Sequence, residues 1–189
     1  MATLPPWPIR RQTVHIGGQD YSLDTVADAP ALLDALIAQG SSHPDYQDEV
    51  IPYWADLWHS ALGLAQAIVE QPECFAGQAT IELGCGLGLP GLVAARLGAT
   101  LTFSDYVEDA LAFTKHNFEL NLPAGSAAEF LRLDWRQPPQ GCQYARLLAA
   151  DVAYERRHFA PLYACIRQLL APGGQCWLSE PGREIAFEF

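Results

Sequence analysis

Residues 79–83, Ala-Thr-Ile-Glu-Leu, form a short apolar run that breaks at Gly84-Cys85-Gly86-Leu87-Gly88, and the chain resumes as an apolar stretch over 89–97 that stops at Gly98. A strand that passes through glycines directly into a helix opens a βαβ unit, and the rest of the chain keeps to that rule. The pattern predicts strands over 100–104, 129–133, 146–150 and 175–179, and helices over 107–120 and 155–170, with a Pro172-Gly173-Gly174 turn before the last strand. In the first of these helices Val107, Ala110, Leu111, Thr114 and Phe118 align; in the second Phe159, Leu162, Tyr163, Ile166, Leu169 and Leu170 share a face. Such alternation requires an α/β fold: a mostly parallel sheet, right-handed crossovers and helices on both faces. Ligands in these sheets bind at the carboxyl ends of the strands, near the switch point.

The N-terminal part reads differently. Residues 13–16 and 21–23 flank Gly17-Gly18, a favoured hairpin turn. A short helix is expected over 31–38, stopped by Gly40, followed by a polar loop over 41–48. After Pro52-Tyr53-Trp54 a helix is expected with Leu57, Trp58, Ala61, Leu62, Ala65, Ile68 and Val69 on one side, ended by Pro72. The expected organisation is a hairpin-and-helix cap over 1–50 and a ligand-binding domain over 51–189. A new helix is expected after Glu180. Its Ile185, Phe187 and Phe189 present apolar surface with nothing following to cover it, so the sequence reads as truncated, with C-terminal strands missing.

Charge and cysteine content narrow the partners. The formal net charge is −11, Lys115 is the one lysine, and no Lys or Arg lies between Arg11 and Arg96. A nucleic-acid binder needs a basic stripe, which this half cannot supply. No apolar run is long enough for a membrane span, and the N-terminus carries no secretory signal. The five cysteines lack metal-ligand or disulfide-framework spacing, so no metal is expected and a reducing, cytoplasmic setting is. The sequence carries no signal of oligomeric state.

The glycine loop brings backbone close to a ligand and offers free N–H groups at a helix start. It also matches G-x-G-x-x-G over Gly86–Gly91, so a dinucleotide site is a candidate. Glu82 argues otherwise: a carboxylate beside the loop gains nothing with a pyrophosphate and much with an ammonium or sulfonium. Asp105, ending the second strand of the alternation, can accept both hydroxyls of a ribose, or cap the next helix. Asp134-Trp135 can border an adenine ring, or the Trp can simply pack. Asp151 and Tyr154 fall on one side of a helical turn, or serve as helix cap and packed ring. His59 reads as a helix-face residue, Arg156 and Arg157 as solvated or touching a substrate at the pocket mouth, and Cys85 as a small loop residue.

Glu82-Leu-Gly-Cys-Gly-Leu-Gly88, Asp105, Asp134-Trp135 and Asp151, in that order, resemble the motifs of class I (seven-stranded, Rossmann-like) S-adenosylmethionine-dependent methyltransferases. The Pro52-Tyr-Trp-Ala-Asp-Leu-Trp58 segment and Asp151-Val-Ala-Tyr154 are similar to methyltransferase family 16, the methyltransferase-like protein lysine methyltransferases. The resemblance spans about residues 50–182. It implies S-adenosylmethionine as cofactor, with S-adenosylhomocysteine as product, held by Trp58, by the loop residues Gly84, Cys85, Gly86 and Gly88, by Glu82 near the ammonium, by Asp105 at the ribose, by Tyr106, by Asp134 and Trp135 at the adenine and by Ala150. Asp151 and Tyr154 would face the acceptor as the catalytic pair.

The implied reaction is in-line methyl transfer to a neutral nucleophile, accelerated by near-attack geometry. A lysine acceptor, with an ordinary pKa near 10.4, must shed a proton first, and Asp151 and Tyr154 are placed to orient it. Protein lysine methylation is the leading reading. A small-molecule N- or O-methyltransferase with an amine substrate, or a dinucleotide- or cofactor-binding pseudoenzyme, stays open beside it.

Overall fold

The strand before the glycine loop, β3 (Ala79–Leu83), lies at the centre of a five-stranded sheet, as its apolar, β-branched composition requires. The structure is a computed structural model that describes residues 4–38, 40 and 51–189. The expected loop over 41–48 and the boundary at 50/51 lie at or within residues outside the described ones. On one side of β3 run β4 (Thr100–Asp105) and β5 (Glu129–Arg132); on the other run β6 (Tyr144–Ala150) and β7 (Leu170–Ser179). The order is β5-β4-β3-β6-β7 and every pair is parallel. The chain therefore winds outward from β3, then returns to its far side, which puts the switch point between β3 and β6.

Strand periodicity divides the core between two faces. Ile81 and Leu83 of β3, with Leu147 and Ala149 of β6, point towards Leu162, Cys165 and Leu169 of α5 (Arg156–Leu169). Leu148, one residue out of phase, joins Leu101 and Phe103 of β4 on the other face. That face is covered by α2 (His59–Glu70), α3 (Leu89–Arg96) and α4 (Glu108–Asn121), while α1 (Ala29–Ala38) belongs to the cap. The sheet thus has helices on both faces, as the alternation predicts.

The hairpin is longer than its apolar residues indicate. β1 (Ile9–Ile16) and β2 (Gln19–Val26) pair antiparallel through Gly17-Gly18, whose φ values of +57° and +77° are those of a two-residue turn that matches strand twist. Polar residues carry much of this extension. Buried Asp24 accepts hydrogen bonds from Arg11 Nε at 2.7 Å and pairs with His116 at 2.7 Å. Its backbone N–H donates to Asn117 Oδ1 at 2.8 Å, and Asn117 Nδ2 donates to the carbonyls of Asp24 and Leu87, both at 3.2 Å. One turn on, Asn121 exchanges two bonds with the backbone of Ser22. Asn117 therefore joins the hairpin, α4 and the glycine loop.

Four expectations are corrected. Leu57 and Trp58 precede α2: Trp58 is its extended N-cap, and the buried stripe is Ser60, Leu64, Ala65 and Ile68. Tyr163 is 55% exposed, and Cys165 takes the inward position instead. Pro172-Gly173-Gly174 is not a separating turn. β7 starts directly after α5, and the register jumps from Tyr144↔Leu170 to Arg146↔Gln175, so the segment bulges out of a continuous strand. The C-terminal segment forms a 3-10 helix (Glu184–Glu188), not an α-helix, with Phe189 packed edge-on against Phe159.

Replacing Asn117 by Ala removes both partners of the Asp24 backbone and the donor to Leu87. Each buried group left without a partner costs about 1–3 kcal/mol. The expected outcome in urea unfolding is a lower midpoint with an unchanged slope, and an unchanged midpoint would show that the network carries no stability.

Candidate active site

At the carboxyl ends of β3, β4 and β6 the sheet opens into a cavity of about 390 Å3. Its first wall is the glycine loop. Gly84, Gly86 and Gly88 have φ values of +60°, +52° and +82°, which side-chain-bearing residues rarely adopt. A Cβ on Gly84 would lie 3.1 Å from Val152 and one on Gly86 3.3 Å from the Trp54 carbonyl, so the loop is packed from behind and open in front. Gly84, Cys85 and Gly86 line the cavity. Gly88 does not. It is the N-cap of α3, pressed against Thr114, and its role is to start the helix.

Glu82 lies under the loop, 2% exposed, with Oε2 accepting the Gly91 N–H at 2.9 Å. The first turn of α3 thereby spends a free donor on the protein's own carboxylate. An anion-binding helix start of the dinucleotide type is thus already occupied, although Gly86–Gly91 has the right spelling. Burial pushes the Glu82 carboxyl up to about 8, against the Gly91 hydrogen bond, with nearby Asp105 adding to the rise. The same burial, with Asp105 and Glu82 beside it, holds the Cys85 thiol well above its ordinary range, so it stays neutral and paired with Thr114 Oγ1 at 3.3 Å.

Asp105 ends β4 and does both things its position allowed. Oδ1 accepts the Val107 N–H and Oδ2 the Gly86 N–H, each at 3.0 Å, while the residue lines the cavity. Burial raises its carboxyl above the usual range. Tyr106, Asp134 and Trp135 complete this end of the cavity. Asp134 is bound by Arg136, whose Nε donates at 2.9 Å and holds the carboxyl below its usual range. The Trp135 ring lies 3.4 Å from where a Gly84 Cβ would stand.

Ala150 ends β6, Asp151 and Tyr154 follow it, and all three line the cavity together with Trp58. Asp151 is the one non-glycine residue with positive φ (+58°) among the described residues. Ser60 Oγ donates to its Oδ2 at 3.3 Å, and Arg183 pairs with its Oδ1. Burial pushes the Tyr154 phenol up to about 12, so it remains protonated and can donate. Trp58 Nε1 donates to the Tyr53 carbonyl at 2.7 Å, and the Tyr53 ring stands at 80° to both Trp58 and Tyr154. All the predicted site residues except Gly88 therefore meet around one cavity.

Several lining or contacting residues were not anticipated. Tyr53 and Trp54 come from the aromatic segment before α2, where ring content alone could have drawn notice. Ser60, His158 and Arg183 gave no such signal, since each reaches the site by tertiary placement. His158 sits between the rings of Trp135 and Tyr154, and burial lowers its pKa, favouring neutral imidazole. His59, its neighbour Ser60 being buried, is exposed as expected. No group of three or more His, Cys, Asp or Glu residues arranged for a metal occurs among the described residues.

Residues 49–185 match the sequence family described as lysine methyltransferase. The chain belongs to this family. Mouse (Mus musculus) EEF1A lysine methyltransferase 3 is 33% identical over 131 residues, covering 68% of this chain and 56% of the relative. Danio rerio protein N-lysine methyltransferase METTL21A is 36% identical over 121 residues, covering 61% and 55%. The Dictyostelium discoideum histidine protein methyltransferase 1 homolog is 28% identical over 127 residues, covering 65% and 41%. The chain thus spans about half the length of the curated relatives it matches. Among solved structures, the T. thermophilus 16S rRNA N2 G1207 methyltransferase, in complex with AdoMet and guanosine, superposes with a TM-score of 0.67 at 18% identity, over 97% of this chain and 47% of that one. That likeness establishes the fold of the class I methyltransferases.

The raised Glu82 carboxyl has a measurable consequence. In the unfolded chain it ionises near 4.5, whereas in the fold it holds its proton to about 8. Across that window the unfolded state releases a proton that the folded state keeps, so stability falls as pH rises. Glu82→Gln, which keeps the acceptor for Gly91, removes this loss. Its stability advantage over the parent in urea unfolding is expected to grow by a few kcal/mol, in order of magnitude, between about pH 5 and pH 8. An advantage independent of pH would refute the assignment.

Proposed function

We propose that this chain transfers a methyl group from S-adenosylmethionine to a protein side chain, a lysine ε-amine. The observation that carries the reading is the joining, in one cavity at the switch point of a lysine methyltransferase family member, of an acidic, glycine-walled end and an Asp151/Tyr154 end. The cavity volume falls within the range of small-molecule sites.

The residues present fit such a cofactor. Gly84 and Gly86 bring bare backbone to the cavity wall, where a Cβ would press on Val152 and on the Trp54 carbonyl. Asp105 spends one lone pair of each oxygen on backbone N–H groups and keeps the others for a pair of ribose hydroxyls. Trp135 offers a ring face for a purine. Asp105, and Glu82 when a neighbouring cation draws it into its ionised form, supply negative charge, which suits a ligand bearing an ammonium and a sulfonium and opposes a pyrophosphate. Bound there, the cofactor supplies an electrophilic methyl carbon.

The chain's own residues do the rest. Trp58, Tyr53 and Tyr154 wall the acceptor end and exclude water. The Tyr154 hydroxyl oxygen and the Asp151 carboxylate accept the amine N–H groups and so orient its lone pair along the line of displacement, which is where most of the acceleration arises. The amine gains a methyl group and loses a proton to solvent, directly or through Asp151. The net charge of −11 supports a cationic protein acceptor over a nucleic acid, and the free state of all five cysteines supports a reducing, cytoplasmic setting.

Calorimetric titration with S-adenosylhomocysteine tests the cofactor half: saturable binding is expected for the parent, weakened at least tenfold in Asp105→Ala. Incubation with methyl-labelled S-adenosylmethionine and cell lysate tests the acceptor half. Label in a protein band, lost in Asp151→Asn while S-adenosylhomocysteine still binds, is the expected result. Label confined to small molecules would move the reading to a small-molecule methyltransferase, and a folded parent that binds no S-adenosylhomocysteine would end it.

A further inference from the structure

Asp151 faces the cavity already paired. The Arg183 guanidinium donates to Oδ1 and the Ser60 hydroxyl to Oδ2, and the Asp151 side chain is 6% exposed. Arg183 comes from the segment after β7 and is flanked there by Glu180, whose Oε2 lies 3.4 Å from the same guanidinium nitrogen. Glu180 Oε1 in turn accepts the Ala153 N–H at 2.7 Å, and the Asp151 N–H donates to the Ser179 carbonyl at 2.8 Å. The turns after β6 and β7 are thus cross-tied, and the ion pair is held by both.

This pairing bears on the protonation of the acceptor. A carboxylate alone beside an incoming amine stabilises the ammonium form, which lacks the lone pair that displacement requires. With a guanidinium on one oxygen, the carboxylate can still accept an N–H, but its field at the amine is largely offset. The other charged or titratable groups facing this end are Glu180 on the same guanidinium, Tyr53 from the turn before α2, Tyr154, Glu155 with its ion-pair partner Arg157, and His158 beyond β6, and Glu82 and Asp105 elsewhere on the cavity wall. Glu180 is committed to Arg183 and to Ala153, and Tyr154 keeps its proton.

We propose that Arg183 is a positioning residue that offsets the charge of Asp151, so that the acceptor site receives an amine as a neutral nucleophile instead of trapping it as a cation. The proposal rests on the methyl-transfer reading of the cavity and goes beyond it by assigning the residue that sets which protonation state of the acceptor is held.

The probe is Nα-acetyl-lysine N-methylamide, titrated into the protein saturated with S-adenosylhomocysteine, for the parent, Arg183→Gln and Arg183→Lys. Near neutral pH, Arg183→Gln is expected to bind the ammonium form at least tenfold more tightly than the parent. That gain should vanish as pH rises through the amine's ordinary value of about 10.4. Arg183→Lys, which restores the charge, should return to the parent's weak binding. A general loosening of the site would not produce a gain with this pH dependence. Binding by Arg183→Gln no tighter than the parent's, or a gain indifferent to pH, overturns the proposal. If S-adenosylhomocysteine binds and the probe affinities are equal, only this inference falls; if S-adenosylhomocysteine does not bind the parent, the methyl-transfer reading falls with it.

Discussion

The bond from the Gly91 N–H to Glu82 fixes the angle at which α3 leaves the sheet, and the cavity depends on that angle. A carboxyl group buried at the end of a central strand is costly unless something answers it. Here the answer is the first turn of a helix, whose unsatisfied N–H groups carry partial positive charge. The bond is possible because position 91 has no side chain: a Cβ there would stand 2.5 Å from Glu82 Oε2 and 2.3 Å from the Phe103 ring. The glycines of the segment therefore serve different ends. Gly84 and Gly86 shape the wall of the cavity, while Gly88 and Gly91 let α3 begin where Glu82 can reach it.

A second constraint holds the loop from outside. Asn117 of α4 bonds the Leu87 carbonyl and both backbone groups of Asp24, so the loop, the helix after Asp105 and the hairpin share one side chain. Buried and fully partnered, such a network favours one arrangement over nearby alternatives, since any shift leaves a polar group without its bond. The hairpin is thereby more than an appendage: it braces the segment whose backbone faces the cavity.

The parts of this protein that follow from local pattern were legible in its sequence. Strand runs such as 79–83, and the residues at their carboxyl ends, are fixed by periodicity and by the rule that places ligands there, so Glu82, Asp105, Asp134 and Asp151 were found together. Gly88 was misplaced because adjacent glycines look alike until their neighbours are known; Thr114 decides its role, and it lies on another helix. Trp58 fits a helical stripe by spacing, yet its extended backbone makes it the N-cap, so the helix starts two residues after Leu57, where the apolar pattern begins. Pro172-Gly173-Gly174 has turn composition, and only the pairing of β6 with β7 shows that the strand absorbs it as a bulge. Asn117 and Arg183 are polar residues whose partners are distant in sequence, and nothing local distinguishes them from solvated ones.

The two ends of the cavity treat charge in opposite ways. At the glycine-loop end Glu82 and Asp105 are buried and answered by backbone N–H groups, which supply partial charges and hydrogen bonds but no full cation. A positively charged ligand is the partner that such an end lacks, and ionising Glu82 in its presence would recover what burial costs in its absence. At the far end Asp151 is answered by a full cation, Arg183, which Glu180 flanks in turn, so the charge that Asp151 presents to a second ligand is offset at its own carboxylate. Two positive groups brought into one small cavity would repel each other, and each unit of that repulsion would oppose the approach of nucleophile to methyl group. A site with its negative charge placed at one end and offset at the other favours one cation and one neutral partner, which is the pairing that displacement at a sulfonium by an amine requires.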